Sequence, residues 1–487
     1  MMRFVWGSVL ALVVLVAVLL VRTALHTPSE SSDIKPLDIS VDADRAAARL
    51  AEAIRFRTVS HQSEDDFEAE AFEGFIGWLE ATYADVISRV DVSRHAGYTL
   101  LLRWPGSDST RQPVLLTAHY DVVPVIPGSE GSWAHPPYAG TIDGGIVWGR
   151  GALDDKSGVV GQMEAASRLM QRGFTPNRDV YFSFGHDEEV GGRGAAAVAR
   201  HMADNGIQLE WSLDEGSFLF EGMFPGLDKP FAAINVAEKG SVTLQIIARG
   251  AGGHSSMPPK DNAVSRLAHA LTALESNPLP GGLSGLSADM FDTASRHMSF
   301  AYRLPFANRW LLDGVLDGQL SELTFGNAML RTTIAPTMLS GSVKTNVLPI
   351  EAVATVNFRV HPRDSVDDVV KHVERVVGNE HVSVHLPYGG GREASKVSDA
   401  GSDGFRIVSQ AVREIYPGAA VAPGLMIAAS DTRHYGKVAD NAFRFNPMKV
   451  TQEDLTGFHG TNEKISVETL AQGVAAYERI LELAAGR

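Results

Sequence analysis

Three observations predict an α/β fold with a mostly parallel central sheet and an inserted α+β sandwich. Short apolar runs at 114–118, 180–184 and 211–213 each end in a polar cluster, marked by His119, Glu188 and Asp214. Helix-like stretches lie between them, notably 157–172 closed by Gly173; strands alternating with helices argue for a layer whose ligands gather at the carboxyl ends of strands. From about Ser241 the texture changes. Residues 242–248 alternate, 262–274 read as a helix, 332–343 and 352–360 as strands, 366–377 as a helix and 382–386 as a short strand. That β-α-β-β-α-β order describes a small domain set into the larger one.

Taken in order, the chain starts with Phe4 to Val21, eighteen residues without a charge between Arg3 and Arg22. Such a run just spans a bilayer and is longer than the core of an ordinary signal peptide. No small-x-small cleavage site follows, so an uncleaved signal anchor is expected over residues 1–28. The acidic stretch after Arg22 favours the body of the protein outside the cytoplasm, periplasmic or extracellular. The alternative is a secreted protein whose signal peptide is removed. A polar linker follows at 29–44. An amphipathic helix at 46–55 opens the first catalytic part, 45–237. The insert spans 238–387 and includes extra apolar material at 281–325, and 388–487 completes the catalytic domain with helices at 405–415 and 467–485.

Composition narrows the chemistry. The net charge of −15 over 487 residues makes nucleic acid an unsuitable partner, since binding it needs concentrated Lys and Arg. The absence of cysteine excludes disulfides, thiolate catalysis and cysteine-based zinc sites, leaving histidine and carboxylates as the strong metal ligands. No Gly-x-Ser-x-Gly elbow is present. The run Gly151-Ala152-Leu153-Asp154-Asp155-Lys156-Ser157 lacks the glycine of a phosphate loop, and its aspartates would repel phosphate.

Glu188 and Glu189 stand where an apolar strand breaks into a glycine-rich turn. Adjacent like charges at the rim of a core resist desolvation unless cations neutralise them. Side chains next to each other on extended backbone diverge, so one glutamate can hold a metal while the other handles protons. Matching groups stand at other strand ends and glycine breaks: His119, Asp154, Glu215 and His459. A lone Glu-Glu pair is most often a solvated loop; five such groups, each beside an apolar run and a glycine, are not.

These segments resemble the aminoacylase/carboxypeptidase S family of dinuclear zinc metallopeptidases. The likeness rests on His-Tyr-Asp-Val-Val-Pro from 119, Gly-Arg-Gly-Ala-Leu-Asp-Asp-Lys from 149, Asp-Glu-Glu-Val-Gly-Gly from 187, Gly-Gly-His-Ser-Ser at 252–256 and the turn at His459. It covers about residues 45–487. Carboxypeptidase S and the N-fatty-acyl-amino-acid hydrolase/synthase are the members most similar, sharing Asn-Phe-Arg-Val-His-Pro from 357 and Asn-Glu-Lys-Ile-Ser from 462.

The resemblance implies two Zn2+ ions per chain, with Co2+ or Mn2+ as substitutes. Asp154 would bridge them, His119 and Glu215 completing one site and Glu189 and His459 the other, with Asp214 the alternative to Glu215. It implies a cis peptide between Asp154 and Asp155, Asp121 orienting the ring of His119, Glu188 as general base and His254 as donor to the oxyanion. Asn346 and Arg359 would hold a substrate carboxylate, and Arg433 is a further candidate, since an arginine fork suits a carboxylate. The expected enzyme cleaves an amide next to a free-carboxylate amino acid, in dipeptides and short peptides or in N-acyl amino acids. The apolar material of the insert is expected to pack against the core or against a homodimer mate; the alternatives are that it lines an acyl pocket or lies on the membrane. A membrane-anchored, receptor-like ectodomain without activity is the rival from another class; it requires lost ligands, and none is lost.

Overall fold

The computed structural model describes residues 2–28, 34–387 and 389–486; the acidic stretch at 29–33, part of the expected linker, lies outside the described residues. Two compact units emerge. The first comprises 1–236, 289–307 and 398–487, the second 237–288 and 308–397.

The first unit is built on a large mixed sheet. Its centre is parallel: Val180–Gly185, Val114–His119, Leu209–Asp214 and Ala439–Arg444 lie side by side in that order. Thr99–Trp104 and then Asp91–His95 extend one edge antiparallel. Val114–His119 and Val180–Gly185 are buried at every residue, as expected for strands covered on both faces. The helix Lys156–Gln171 packs on Val467–Ala485 and on Ala43–Ile54. Its lack of a polar stripe follows from that position, since 156–167 are buried without interruption. Register decides what matters for function. His119 stands opposite Gly185, and Leu116 opposite Leu213, so three parallel strands end at nearly the same level.

The second unit has a four-stranded antiparallel sheet in the order Thr333–Ser340, Glu351–Val360, Gly240–Arg249, Val382–His385. Glu351–Val360 and Gly240–Arg249 alternate between buried and partly exposed residues, the period-two signature of a sheet with one covered face. Val242, Leu244, Ile246, Val356 and Phe358 meet Leu267, Leu274, Val369 and Val373 from the helices Ala263–Ser276 and Val366–Val377. The second of these helices starts at a reciprocal cap: the Ser365 hydroxyl accepts from the Asp368 amide at 3.1 Å, and the Asp368 carboxylate accepts from the Ser365 amide at 2.9 Å.

The apolar material of the insert divides between the units. Asp289–Ala307 belongs with the first and the stretch from Asn308 with the second.

Candidate metal centre

The strand ends of the first unit deliver histidine and carboxylates to one place. His119 is the last residue of its strand, and its Nδ1 lies 3.0 Å from the carbonyl oxygen of Asp121. A carbonyl only accepts, so Nδ1 carries a proton, and a ring without a second proton turns the lone pair of Nε2 outward. That Nε2 is 3.0 Å from Asp154 Oδ1 and 3.8 Å from Glu215 Oε1. A lone pair facing carboxylate oxygens at this distance needs a cation between them, a proton or a metal ion.

Asp154 faces two histidines. Its second oxygen, Oδ2, is 2.9 Å from His459 Nε2, which is also 3.2 Å from Glu189 Oε2. The loop carrying Asp154 is fixed by Glu463, fully buried, whose Oε1 accepts from the amides of Gly151, Leu153 and Asp154 at 3.0, 2.8 and 3.0 Å. Its other oxygen pairs with Arg150 at 2.6 Å. The Asp154–Asp155 peptide is cis, as the resemblance implied.

Glu188 and Glu189 occupy a single 3-10 turn after Val180–Gly185, and their amides donate to the two oxygens of Asp121 at 3.2 Å each. Asp121, which also accepts from Ser60 Oγ at 2.8 Å, therefore orients His119 and anchors the glutamate turn together. Asp214 is engaged elsewhere, accepting from the amide and hydroxyl of Thr432 at 2.7 Å each and from the Glu215 amide at 2.9 Å. That leaves Glu215, rather than Asp214, turned toward His119.

Charge is badly out of balance among these residues. Burial pushes the carboxyls of Glu188, Glu189 and Glu215 upward, Glu189 to about 7, with neighbouring carboxylates adding to the effect. Asp155 and Asp431 are raised for the same reason. Asp154 moves down despite its burial, held by hydrogen bonds from His119 and His459. His459 rises to about 10 through its bonds to Asp154 and Glu189, and His119 rises although burial opposes it. Glu189 Oε1 is buried without a hydrogen-bond partner among the described residues. Donor atoms of His119, Asp154 and Glu189 lie within 4.8 Å of one another, as do those of His119, Glu188 and Glu215. An all-oxygen and imidazole donor set, crowded, buried and over-supplied with negative charge, fits one or more divalent cations.

Arg433 belongs to this cluster: its Nη1 is 3.4 Å from Glu188 Oε1 and donates to the Ser430 carbonyl at 3.0 Å. Two further residues escaped the sequence reading of roles. Glu463 appears in the motif from 462 with no hint that it holds a loop more than three hundred residues earlier. Asp431 is 2% exposed, and neither of its oxygens has a hydrogen-bond partner among the described residues. It presses on Gly185 and Gly192; a Cβ on Gly185 would come within 2.8 Å of Asp431, and Gly192 combines the same crowding with φ +62. The glycines flanking the Asp-Glu-Glu run were the available signal.

The other three candidates lie on the second unit. His254 and Asn346 come together there, because the ladder of Gly253–His254 with Val347–Leu348 brings the Ser255 amide to the Asn346 carbonyl at 3.1 Å. His254 is exposed, its Nδ1 2.8 Å from Ser256 Oγ. Arg359 is apart from them, on Glu351–Val360 opposite Ser241 and Thr333.

Known proteins resemble this chain in sequence and in fold. The profile described as Peptidase family M20/M25/M40 matches residues 115–483. Probable carboxypeptidase S-like 2 of Dictyostelium discoideum is 38% identical over 441 residues, covering 90% of this chain and 84% of that protein. The N-fatty-acyl-amino acid synthase/hydrolase PM20D1 of Xenopus tropicalis is 35% identical over 480 residues, covering 97% and 93%. Among solved structures, the M20 family metallo-carboxypeptidase Sso-CP2 from Sulfolobus solfataricus aligns with TM-score 0.63 at 17% identity, over 90% of this chain and 99% of that one. Human carnosine dipeptidase 1 aligns with TM-score 0.62 at 19% identity, over 91% and 96%. At these identities the structural likeness establishes the fold.

Proposed function

The chain belongs to peptidase family M20/M25/M40, and from that premise we propose that it is a dinuclear zinc hydrolase cleaving the amide bond beside a free-carboxylate amino acid. The observation that carries the dinuclear reading is Asp154, whose two oxygens face different histidines at 3.0 and 2.9 Å. His119 and Glu215 on one side of it, and Glu189 and His459 on the other, would hold the two ions. When bound, zinc supplies Lewis-acid polarisation of the scissile carbonyl and acidification of water.

The protein's own groups then handle positions and protons. Glu188 takes the proton from the attacking water and passes it to the leaving nitrogen. Its raised carboxyl suits that shuttle, and Arg433 at 3.4 Å limits how far it rises. Asp121 keeps the proton of His119 on Nδ1, so that Nε2 stays free to ligate. His254 donates to the oxygen that becomes negative as the carbonyl is attacked. Asn346 and Arg359, apart from each other in the second unit, are separate candidates for holding the substrate carboxylate; Arg433, engaged with Glu188, is the weaker one.

Two substrate classes share this chemistry. Carboxypeptidase action on short peptides follows the Dictyostelium likeness, and N-acyl-amino-acid hydrolysis follows the likeness to the synthase/hydrolases. The apolar helix Met2–Leu25, with an eighteen-residue window of mean hydropathy 2.9 inside Phe4–Leu25, is long enough to cross a bilayer and anchors the enzyme with its body outside the cytoplasm.

The test is metal analysis of the full chain, with turnover of an N-lauroyl amino acid and of Z-Gly-Leu by wild type and Glu188→Ala. About two zinc per chain, with turnover lost in the variant and metal retained, is the expected result; the preferred substrate decides the subclass. Protein that binds no metal and stays inactive after zinc addition would refute the proposal.

A further inference from the structure

We propose that Asp187 is the positioning residue for Glu188: its carboxylate closes the glutamate turn onto the helix Arg193–Asp204 and so fixes where the base stands. The inference rests on the reading of Glu188 as general base.

Asp187 is 3% exposed, lies directly before Glu188, and has no part in the chemistry proposed above. Its Oδ2 accepts from the Arg193 amide at 2.9 Å and its Oδ1 from the Gly194 amide at 3.0 Å. Its carbonyl oxygen accepts from the amides of Gly192 at 2.7 Å and Val190 at 3.3 Å. The Gly191 amide donates to the Glu188 carbonyl at 3.0 Å, and the amides of Glu188 and Glu189 donate to Asp121. Of the seven successive amides from 188 to 194, four therefore end on Asp187.

The start of the helix gives the reason. An α-helix leaves its first amides without partners of its own, and the residue before it commonly supplies a side-chain oxygen. Here that residue is Gly192, which has no side chain to offer and stands in the left-handed region at φ +62. Asp187 takes over the task from earlier in the chain, with its negative charge at the positive end of the helix dipole. The approach is close. Gly194 lies against Thr99 Oγ1 and His186 Nδ1, where a Cβ would collide, and those two atoms are themselves 2.6 Å apart. Arg193 Nε, 3.5 Å from Asp187 Oδ2, adds a weaker contact from an exposed side chain. The two carboxylate bonds thus join both ends of the loop that carries the glutamates.

Such a closed loop matters more to Glu188 than to Glu189. A bound cation would hold Glu189 through its own carboxylate. Glu188 is not a ligand in the proposed reading, and its side chain has Arg433 as a partner at 3.4 Å. Its place is then set by its backbone, held by Asp121 on one side and by the loop closed through Asp187 on the other. A misplacement of about 1 Å in a catalytic group costs on the order of 10²-fold in rate.

The test compares Asp187→Ala, Asp187→Asn and Asp42→Ala in the full chain, and Asp187→Ala combined with Glu188→Gln. Asp42 caps the helix Ala43–Ile54 through the Arg45 amide at 3.0 Å, in the same unit, and reports what losing an aspartate cap does by itself. Zinc content, Tm and turnover are measured at saturating zinc, on whichever of the N-lauroyl amino acid and Z-Gly-Leu the wild type cleaves. Asp187→Ala should lower kcat about 10–100-fold, with KM within about twofold and zinc content unchanged. Asp187→Asn, which keeps an oxygen for one amide, should fall between Ala and wild type. Asp42→Ala should lower Tm without lowering kcat. In the Glu188→Gln background, Asp187→Ala should change the residual rate by less than about twofold, because a residue acting through Glu188 has nothing left to position. A lowered Tm with kcat intact in Asp187→Ala would reduce Asp187 to a cap and overturn the proposal. Zinc lost at saturation would make it a support for Glu189 instead, and a further tenfold or so fall in the double variant would place its action elsewhere; either result also overturns it. If Asp187→Ala does not fold, Asp187→Asn, alone and with Glu188→Gln, is read against the same outcomes. If Glu188→Gln by itself leaves turnover intact, the reading of Glu188 as base fails and this inference with it.

Discussion

The strand ends of the first unit and the turn around His254 in the second hold their candidate residues in opposite ways. His119, Asp154, Glu189 and Glu215 are buried or nearly so, and the backbone around them is tied down by Asp121 and Glu463. His254 and Asn346 are exposed, on a two-residue ladder at the end of which the side chain of His254 bonds within its own turn. On the proposed function, the difference follows from what each is asked to do. A metal cage must bring like charges together and keep them there without the ion, which takes burial and a rigid frame. A group that meets substrate late needs only reach. Chemistry and stability should therefore be entangled in the first region and separable in the second.

The largest effect tests the one buried residue for which they should still separate. Glu188→Gln keeps the side chain's shape and removes a charge that burial and Asp431 already disfavour. Turnover should fall by at least about 10²–10⁴-fold while metal content and Tm hold. Loss of metal with turnover would make Glu188 a ligand, which its closeness to His119 and Glu215 allows geometrically. Glu463→Ala should break both at once. It strands Arg150 as a buried charge, at a cost of about 3–5 kcal/mol, and frees the loop bearing Asp154, so metal affinity should drop about 10–100-fold. Denaturant midpoints and metal-chelator competition measure the two losses; an unaltered affinity would show that the loop needs no such anchor. On the other side of the comparison, His254→Ala should cost activity on the order of 10²-fold yet change stability by no more than about 0.5 kcal/mol. A destabilised variant would erase the contrast.

How far the sequence foretells these two regions depends on the range of the interactions involved. The strands ending at His119 and Asp214 and the insert's order of elements were legible, because local periodicity records them; dense motifs marked the histidines and carboxylates that the strand ends bring together. Glu463 was not legible, since its role depends on a contact with Gly151 and Leu153 that no window of sequence spans. Nothing local in the sequence shows that Thr432, more than two hundred residues later, bonds Asp214 and leaves Glu215 turned toward His119. The apolar run around Phe300 reads as part of the insert, yet it packs with the first unit, because hydrophobicity records that a segment will be covered and says nothing of what covers it.

The smallest effect is the most discriminating, because acidity should act with opposite sign on the carboxylates and histidines of the metal centre and on the second unit once metal is removed. In the first unit Glu189 stands near 7, above an ordinary carboxyl, pushed up by burial and by Asp154. Folding therefore favours its protonated form, and stability declines as pH rises from about 4.5 toward 7. His459, raised to about 10 by hydrogen bonds to Asp154 and Glu189, contributes stability that is complete below about 6.5 and lost as pH climbs toward 10. In the second unit the signs reverse. His361, held near 3 by burial and Arg363, accepts a hydrogen bond from the Arg363 amide at 3.2 Å and must be neutral to do so. Its contribution is complete above about 6.5 and fades as pH falls toward 3. Lys239, held near 7 by burial and then by Arg359, contributes most above about 10.5 and loses this as pH falls toward 7. Hydrogen exchange of the chelated protein, corrected for the intrinsic pH dependence of amides, should show protection of Val180–Gly185 falling from pH 5 to 9 while that of Gly240–Arg249 rises. Zinc should abolish the first trend and leave the second untouched, since the cation replaces the protons that the carboxylates and imidazoles otherwise need. Parallel trends in both strands would mean that the two units unfold as one, and the separation of chemistry from stability drawn above would fail.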